Sequence, residues 1–242
     1  MKIVFLLGWI LPLVGCHPPG GAADDSGVEV SLKETAAPRR FLALGDSYTI
    51  GQSVSKSERW PEQLVVRLAH EGVRFEAEAP AVVARTGWTT DELSRAMDAQ
   101  SVAGVYDMVS LLIGVNNQYR GRPLLEFRRG FRELLRRAVE HAGGDPARVL
   151  VLSIPDWGAT PFAQSADRAR VAAEIDAFNA VVREESRRLG ARFVDVTAIS
   201  RRGLEAPSLI APDGLHPSGK MYAAFVEAMM PQVREILGRA PL

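Results

Sequence analysis

The chain has 242 residues and is 47% hydrophobic, enough for one sizeable core and too short for two comfortable domains. Lysine plus arginine and aspartate plus glutamate each total 29, so no net field draws the protein to nucleic acid. The single cysteine, Cys16, excludes an intrachain disulfide or a CxxC zinc site, and His17, His70, His141 and His216 show no ligand spacing, which argues against a metal centre.

The first sixteen residues, "MKIVFLLGWILPLVGC", carry one positive charge, an apolar run from Ile3 to Val14 and a small residue before cysteine. That is the pattern of a secretory signal. The run is shorter than the ~20 residues of a spanning helix, and Pro12 interrupts it. Its ending, "LVGC", resembles a bacterial lipobox, which implies cleavage before Cys16 and lipid modification of that cysteine. The expected organisation is a lipoprotein signal peptide over 1–15, a flexible tether over 16–38 and a folded domain over 39–242. The expected location is the cell envelope, with the membrane reached through lipidated Cys16.

The folded part opens with "RFLAL" at 40–44, which reads as a short buried strand. It runs into "GDSYTIG" at 45–51, where a turn, a phosphate cradle, a metal loop and a nucleophile at a strand end are all open readings. "VRFEAEAPAVVA" at 73–84 predicts a second strand, with Pro80 near its boundary. "RTGWTT" follows, in which Thr89 and Glu92 match a capping box and mark a helix start after Gly87. "VYDMVSLLI" at 105–113 predicts the third strand and leads to "GVNNQYRG". Pro123 opens a helix with Leu124, Phe127, Phe131, Leu134 and Ala138 inward, stopped by Gly143 and Gly144. "RVLVLSI" at 148–154 predicts the fourth strand, followed by "PDWGATP". Residues 166–189 place Val171, Ile175, Phe178, Val182 and Leu189 on one helical stripe. "RFVDV" at 192–196 predicts a fifth strand, and a last helix after Pro217 turns Met221, Phe225 and Met229 inward. This alternation specifies an α/β fold with a mostly parallel sheet covered by helices on both faces. In such sheets ligand sites gather at the carboxyl ends of the strands, so the polar segments after the apolar runs should converge on one rim.

A serine hydroxyl is a weak nucleophile without a base, and Ser47 has none nearby in sequence. "APDGLHPSGKMY" supplies Asp213 and His216, three residues apart, a spacing that can set a carboxylate beside one imidazole nitrogen and leave the other facing Ser47. Taken singly, His216 reads as a helix-entry residue beside Pro217 and Asp213 as an Asx turn. With a strand-end serine, they read as base and acid. Gly87, before a helix start, offers a backbone N–H for a developing oxyanion, and Asn116, after Gly114 at a strand end, offers a side-chain amide.

These segments resemble the four blocks of the SGNH, or GDSL-type, hydrolases: "GDSYTIG", "ARTGWTT", "GVNN" and "DGLHPS", in that order across about residues 40–237. The resemblance implies Ser47 as nucleophile, His216 as base and Asp213 as its orienting acid. It implies oxyanion donors from the Ser47 N–H, the Gly87 N–H and the Asn116 side chain. It also implies a flavodoxin-like three-layer α/β/α sandwich with a five-stranded sheet, no cofactor, and hydrolysis of carboxylic esters of small molecules, lipids or glycans through an acyl-enzyme. The family commonly has aspartate after the third-block asparagine; here Asn117 stands there, able to hydrogen-bond but uncharged.

Two rival readings keep the architecture and change the function. A flavin-mononucleotide binder would use "GDSYTIG" as a phosphate loop, but Asp46 would repel the phosphate. A catalytically silent envelope lipoprotein would keep the fold alone. Asp46 is expected to hydrogen-bond backbone at its turn, and Asp156 and Asp195 to be structural. Arg120, Arg122, Arg128, Arg129, Arg132, Arg136 and Arg137 read as a solvated helix face balanced by Glu126, Glu133 and Glu140. Tyr48, Trp60, Trp88, Tyr119, Trp157 and Phe162 lie in or beside the rim loops, some expected to wall an acyl or sugar pocket and others to be ordinary packing.

Overall fold

The computed structural model describes residues 37–100 and 102–238; the expected signal peptide, Cys16 and the tether up to residue 36 fall outside the described residues. In chain order the elements are β1 (Phe41–Gly45), α1 (Ser47–Ile50), α2 (Trp60–Ala69), β2 (Ala81–Ala84) and α3 (Thr90–Ala99). They continue with β3 (Met108–Leu112), α4 (Val115–Tyr119), α5 (Leu124–His141), β4 (Val149–Leu152), α6 (Arg168–Leu189), β5 (Arg192–Val194), α7 (Thr197–Ser200) and α8 (Gly219–Leu237).

The five strands form one parallel sheet in the order β2-β1-β3-β4-β5. Every residue of β1, β3 and β4 is buried, including Ser110 in the middle of β3, as expected of largely apolar strands covered by helices on both faces. Helix α2 pairs with α8, while α3, α5 and α6 pack in series, giving the two helical layers. The chain leaves β1 for the edge strand β2 and then crosses back to β3. The switch point therefore lies between β1 and β3, and the segments after both strands flank it.

Several element starts follow the chemistry expected of them. Thr89 caps α3 with Glu92 in a reciprocal capping box, Ser218 caps α8, and Pro123 immediately precedes α5. The expected second strand is much shorter than 73–84. Pro80 has no N–H to give a ladder, so regular pairing begins only at Ala81, and the earlier part keeps a single bridge from Phe75 to Arg39. Leu124, expected inward, is 38% exposed in the first turn of α5, where the helix has not yet reached the sheet-facing layer of Phe127 and Phe131. Helix α2 was not expected at all, although Pro61 near its start is a standard opening signal. Its Trp60 is fully buried against Phe41, ring centroids 6.3 Å apart, and belongs to the core rather than the rim.

Candidate functional site

At Gly45 any side chain would collide with Thr49 and come within 2.5 Å of the Leu112 carbonyl oxygen. Glycine thus lets α1 fold back across the end of β1. Asp46 starts that turn: its Oδ1 accepts the Tyr48 N–H at 3.0 Å, as expected of a backbone-binding aspartate. Ser47 follows as the first residue of α1, buried to 5% exposure. The second Asp46 oxygen, Oδ2, is buried with no partner among the described residues. Burial outweighs the N–H bonds to this carboxyl, and its pKa is pushed up to about 7.

The segment carrying Asp213 and His216 is closed on itself by the Ala211 N–H donating to the His216 carbonyl at 2.7 Å and the Gly214 N–H to the Ala211 carbonyl at 3.0 Å. His216 Nδ1 lies 2.6 Å from Asp213 Oδ2. Asp213 Oδ1 accepts the Leu215 and His216 N–H groups at 2.9 and 3.0 Å, and Ser53 Oγ–H donates to Oδ2 at 2.6 Å. Partial burial alone would raise this carboxyl, but the Ser53 hydroxyl, the His216 ring and the two backbone donors outweigh it and set Asp213 well below the usual carboxylate range. An ionised carboxylate only accepts, so Nδ1 carries the imidazole proton, and in the neutral ring Nε2 is left as an acceptor. The Tyr48 ring meets the His216 ring edge-on at 5.7 Å. Burial, then the negative charges of Asp46, Asp156 and Asp213, drive the Tyr48 phenol above its ordinary range, so it stays protonated.

Gly87 has φ +88°, yet a Cβ there would meet nothing closer than Arg120 Nη2 at 3.7 Å. The glycine is required by backbone conformation, not by space. Arg120 ties this turn to α4, donating to the Gly87 carbonyl at 2.6 Å. Asn116 Nδ2 donates one hydrogen to the Trp88 carbonyl at 2.9 Å, and an amide nitrogen carries a second. Asn117, 1% exposed, accepts the Thr90 N–H through Oδ1 and donates from Nδ2 to Thr90 Oγ1, both at 3.0 Å. A neutral amide therefore satisfies both Thr90 groups and locks α4 to the start of α3 without a charge.

Ser47, Gly87, Asn116 and His216 meet on one cavity of about 170 Å³, with Asp213 behind His216. The rest of its wall is largely apolar: Val115, Leu215, and a cluster of Tyr119, Trp157 and Phe162 with ring centroids 5.2 to 6.4 Å apart. Trp157 is fixed by its Nε1–H donating to Gln118 Oε1 at 2.8 Å, while Gln118 Nε2 donates to Glu174 at 2.7 Å. Trp88 is instead half-buried against the core. Asp156 binds the Gly158 N–H and Arg201, and Asp195 binds the Thr197 N–H and Arg183, so both serve their own loops. Among the described residues no cluster of three or more His, Cys, Asp or Glu is placed to hold a metal. Ser53, Gln118 and the Thr86–Gln52 hydrogen bond of 2.6 Å escaped sequence reading, because nothing local sets these residues apart from other loop polar groups.

The GDSL-like lipase/acylhydrolase family matches over residues 43–224. Among solved structures, TesA superposes with TM-score 0.64 and 20% identity, over 82% of this chain and 99% of its own. The psychrotrophic esterase EstA from Pseudoalteromonas sp., inhibited by monoethylphosphonate, gives 0.61 and 17%, over 83% of this chain and 100% of its own. The acetylxylan esterase Axe2 from Geobacillus stearothermophilus gives 0.60 and 19%, over 82% and 95%. No curated protein matches the sequence.

Proposed function

The chain belongs to the GDSL-like lipase/acylhydrolase family and is an SGNH-type esterase, and from that premise we propose that it cleaves carboxylic esters of short to medium acyl length through an acyl-enzyme on Ser47. The observation that carries this reading is the Asp213–His216 pair, 2.6 Å apart, with its imidazole on the same cavity as Ser47, Gly87 and Asn116. In the first step Ser47 Oγ attacks the ester carbonyl carbon while His216 Nε2 takes the hydroxyl proton. The carbonyl oxygen gains the negative charge and is met by the N–H groups of Ser47 and Gly87 and the second Nδ2–H of Asn116. The C–O bond to the alcohol breaks, and His216 returns the proton to the departing oxygen. Water, deprotonated by the same nitrogen, then attacks the acyl-enzyme and releases the acid and Ser47.

The acyl group rests against Val115, Leu215 and the Tyr119, Trp157 and Phe162 rings. A cavity of about 170 Å³ is small beside the ~300–1,000 Å³ typical of drug-sized ligands, which favours short chains over long ones. We further propose that the mature protein is lipid-anchored through Cys16 in the bacterial envelope, where lipid esters and O-acetylated glycans are the accessible pool. Fatty-acid labelling that disappears in Cys16→Ser tests the anchor.

The function is tested by hydrolysis of p-nitrophenyl esters from acetate to long acyl chains by the full chain and by Ser47→Ala. The expected result is activity at short and medium lengths that Ser47→Ala abolishes. A sharp preference for acetate would move the reading towards a carbohydrate O-acetyl esterase. Absence of turnover on every ester, with both proteins folded, would leave a silent binding protein.

A further inference from the structure

Ser53 is the only non-glycine residue with positive φ among the described residues, at 66°. It is exposed, so no core contact forces that conformation. Serine gains little in the left-handed region, which glycine, asparagine and aspartate occupy more readily. Glycine would make the same turn with less strain. What serine adds is its hydroxyl, which donates to Asp213 Oδ2 at 2.6 Å across 160 residues of sequence.

The turn that holds Ser53 begins directly after α1. Gln52 N–H donates to the Ser47 carbonyl at 3.0 Å, and Val54 N–H to the Gly51 carbonyl at 3.4 Å, closing the chain back on the nucleophile segment. Gln52 Oε1 accepts from Thr86 Oγ1 at 2.6 Å, one residue before Gly87. One short turn therefore touches the segment of Ser47, the loop of Gly87 and the carboxylate of Asp213. Asp213 Oδ1 is occupied by two backbone N–H groups, whereas among the described residues Oδ2 receives only the His216 ring and Ser53. Without Ser53 the oxygen facing the imidazole has no second donor to fix its direction.

We propose that Ser53 is a positioning residue for the ester-hydrolysis site: its hydroxyl pins Asp213 Oδ2 against His216, and the backbone strain at residue 53 is tolerated because it delivers that hydroxyl. The residue acts through Asp213 and touches no substrate. The inference rests on the serine-hydrolase reading for its kinetic consequence, while the geometry it concerns can be observed without turnover.

Two variants of the full chain separate the hydroxyl from the strain. Ser53→Ala removes the hydroxyl and keeps a Cβ at positive φ; Ser53→Gly removes the hydroxyl and relieves the conformation. Both should lower kcat by about tenfold, the typical worth of one hydrogen bond to a charged group, with KM little changed. Ser53→Gly should melt above Ser53→Ala, so activity follows the hydroxyl and stability follows the backbone. In parallel, the low-field proton resonance of His216 Nδ1–H against Asp213 should shift or broaden in both variants. Wild-type kcat in both, or recovery of kcat in Ser53→Gly alone, would overturn the proposal, as would an unmoved Nδ1–H resonance. If the wild type hydrolyses no ester, the functional reading fails, and the resonance still decides whether Ser53 positions the pair.

Discussion

Asp46 adjoins Ser47 and Asp213 stands three residues before His216, yet their surroundings drive the two carboxyls in opposite directions. Asp46 is fully buried, one of its oxygens has no partner among the described residues, and burial pushes it up to about 7. Asp213 is partly exposed and meets four donors, which place it well below the ordinary range. Proximity in sequence to a reactive group therefore says little about which acid assists it. The balance between burial and the donors aimed at a carboxylate decides, because a charge can be kept near an imidazole only where hydrogen bonds replace lost water.

Asparagine at each position breaks the comparison open. Asp213→Asn removes the carboxylate that fixes the imidazole tautomer, and comparable changes in serine triads cost about 10⁴-fold in kcat. Asp46→Asn keeps an oxygen to accept the Tyr48 N–H and should leave most of kcat. Equal losses from the two variants, measured on the same ester, would mean the roles are not divided as described.

The same Asp46→Asn protein should change how stability depends on pH. The folded state raises this pKa from 3.8 to about 7, so it binds the proton more tightly than the unfolded chain does. The stabilisation is fully present below about pH 4 and is lost as pH rises through about 7, a loss on the order of a few kcal/mol. Denaturant unfolding from pH 4 to 8 should show this decline in the wild type and a flatter profile in the variant. Superimposable profiles would contradict the burial argument.

A third carboxylate, far from the cavity, sharpens the contrast. Glu185 on α6 is fully buried but clasped by Arg132, Arg128 and Arg188 at 2.7 to 3.0 Å. Hydrogen bonding from Arg132, opposed by burial and reinforced by Arg188 and Arg128, brings it down to about 2. Its stabilisation is present above about pH 4.5 and fades as pH falls towards 2, the reverse of Asp46. Glu185→Gln should lower unfolding free energy by about 2 kcal/mol and leave kcat unchanged. A fall in kcat would link the α5–α6 layer to the site.

The fold was legible because its strands are short runs of Val, Leu and Ile and its helix starts carry caps, as Thr89 with Glu92 and Pro123 show. Which of the aromatics beside the polar loops wall a pocket and which are ordinary packing was not legible locally: only the packing of α2 on Phe41 shows Trp60 to be core. That Ser47, Gly87 and Asn116 would line one cavity was legible because each follows a strand, and that Asp213 and His216 would pair because they stand three residues apart in one short loop before α8. Ser53 was not, since a serine in "GQSVSKSE" differs from its neighbours only by a torsion and by a partner 160 residues away. The aromatic wall is likewise set by Gln118 and Glu174, whose pairing no local pattern announces.

That Ser47 is the nucleophile is tested most directly by treating the purified full chain with a p-nitrophenyl alkylphosphonate and locating the adduct by peptide mass spectrometry. A single phosphonyl group on Ser47, formed with loss of p-nitrophenol, absent from Ser47→Ala and much slower in Asp213→Asn, is the result this account predicts. An adduct on another residue, or ester hydrolysis that persists in Ser47→Ala, would contradict it.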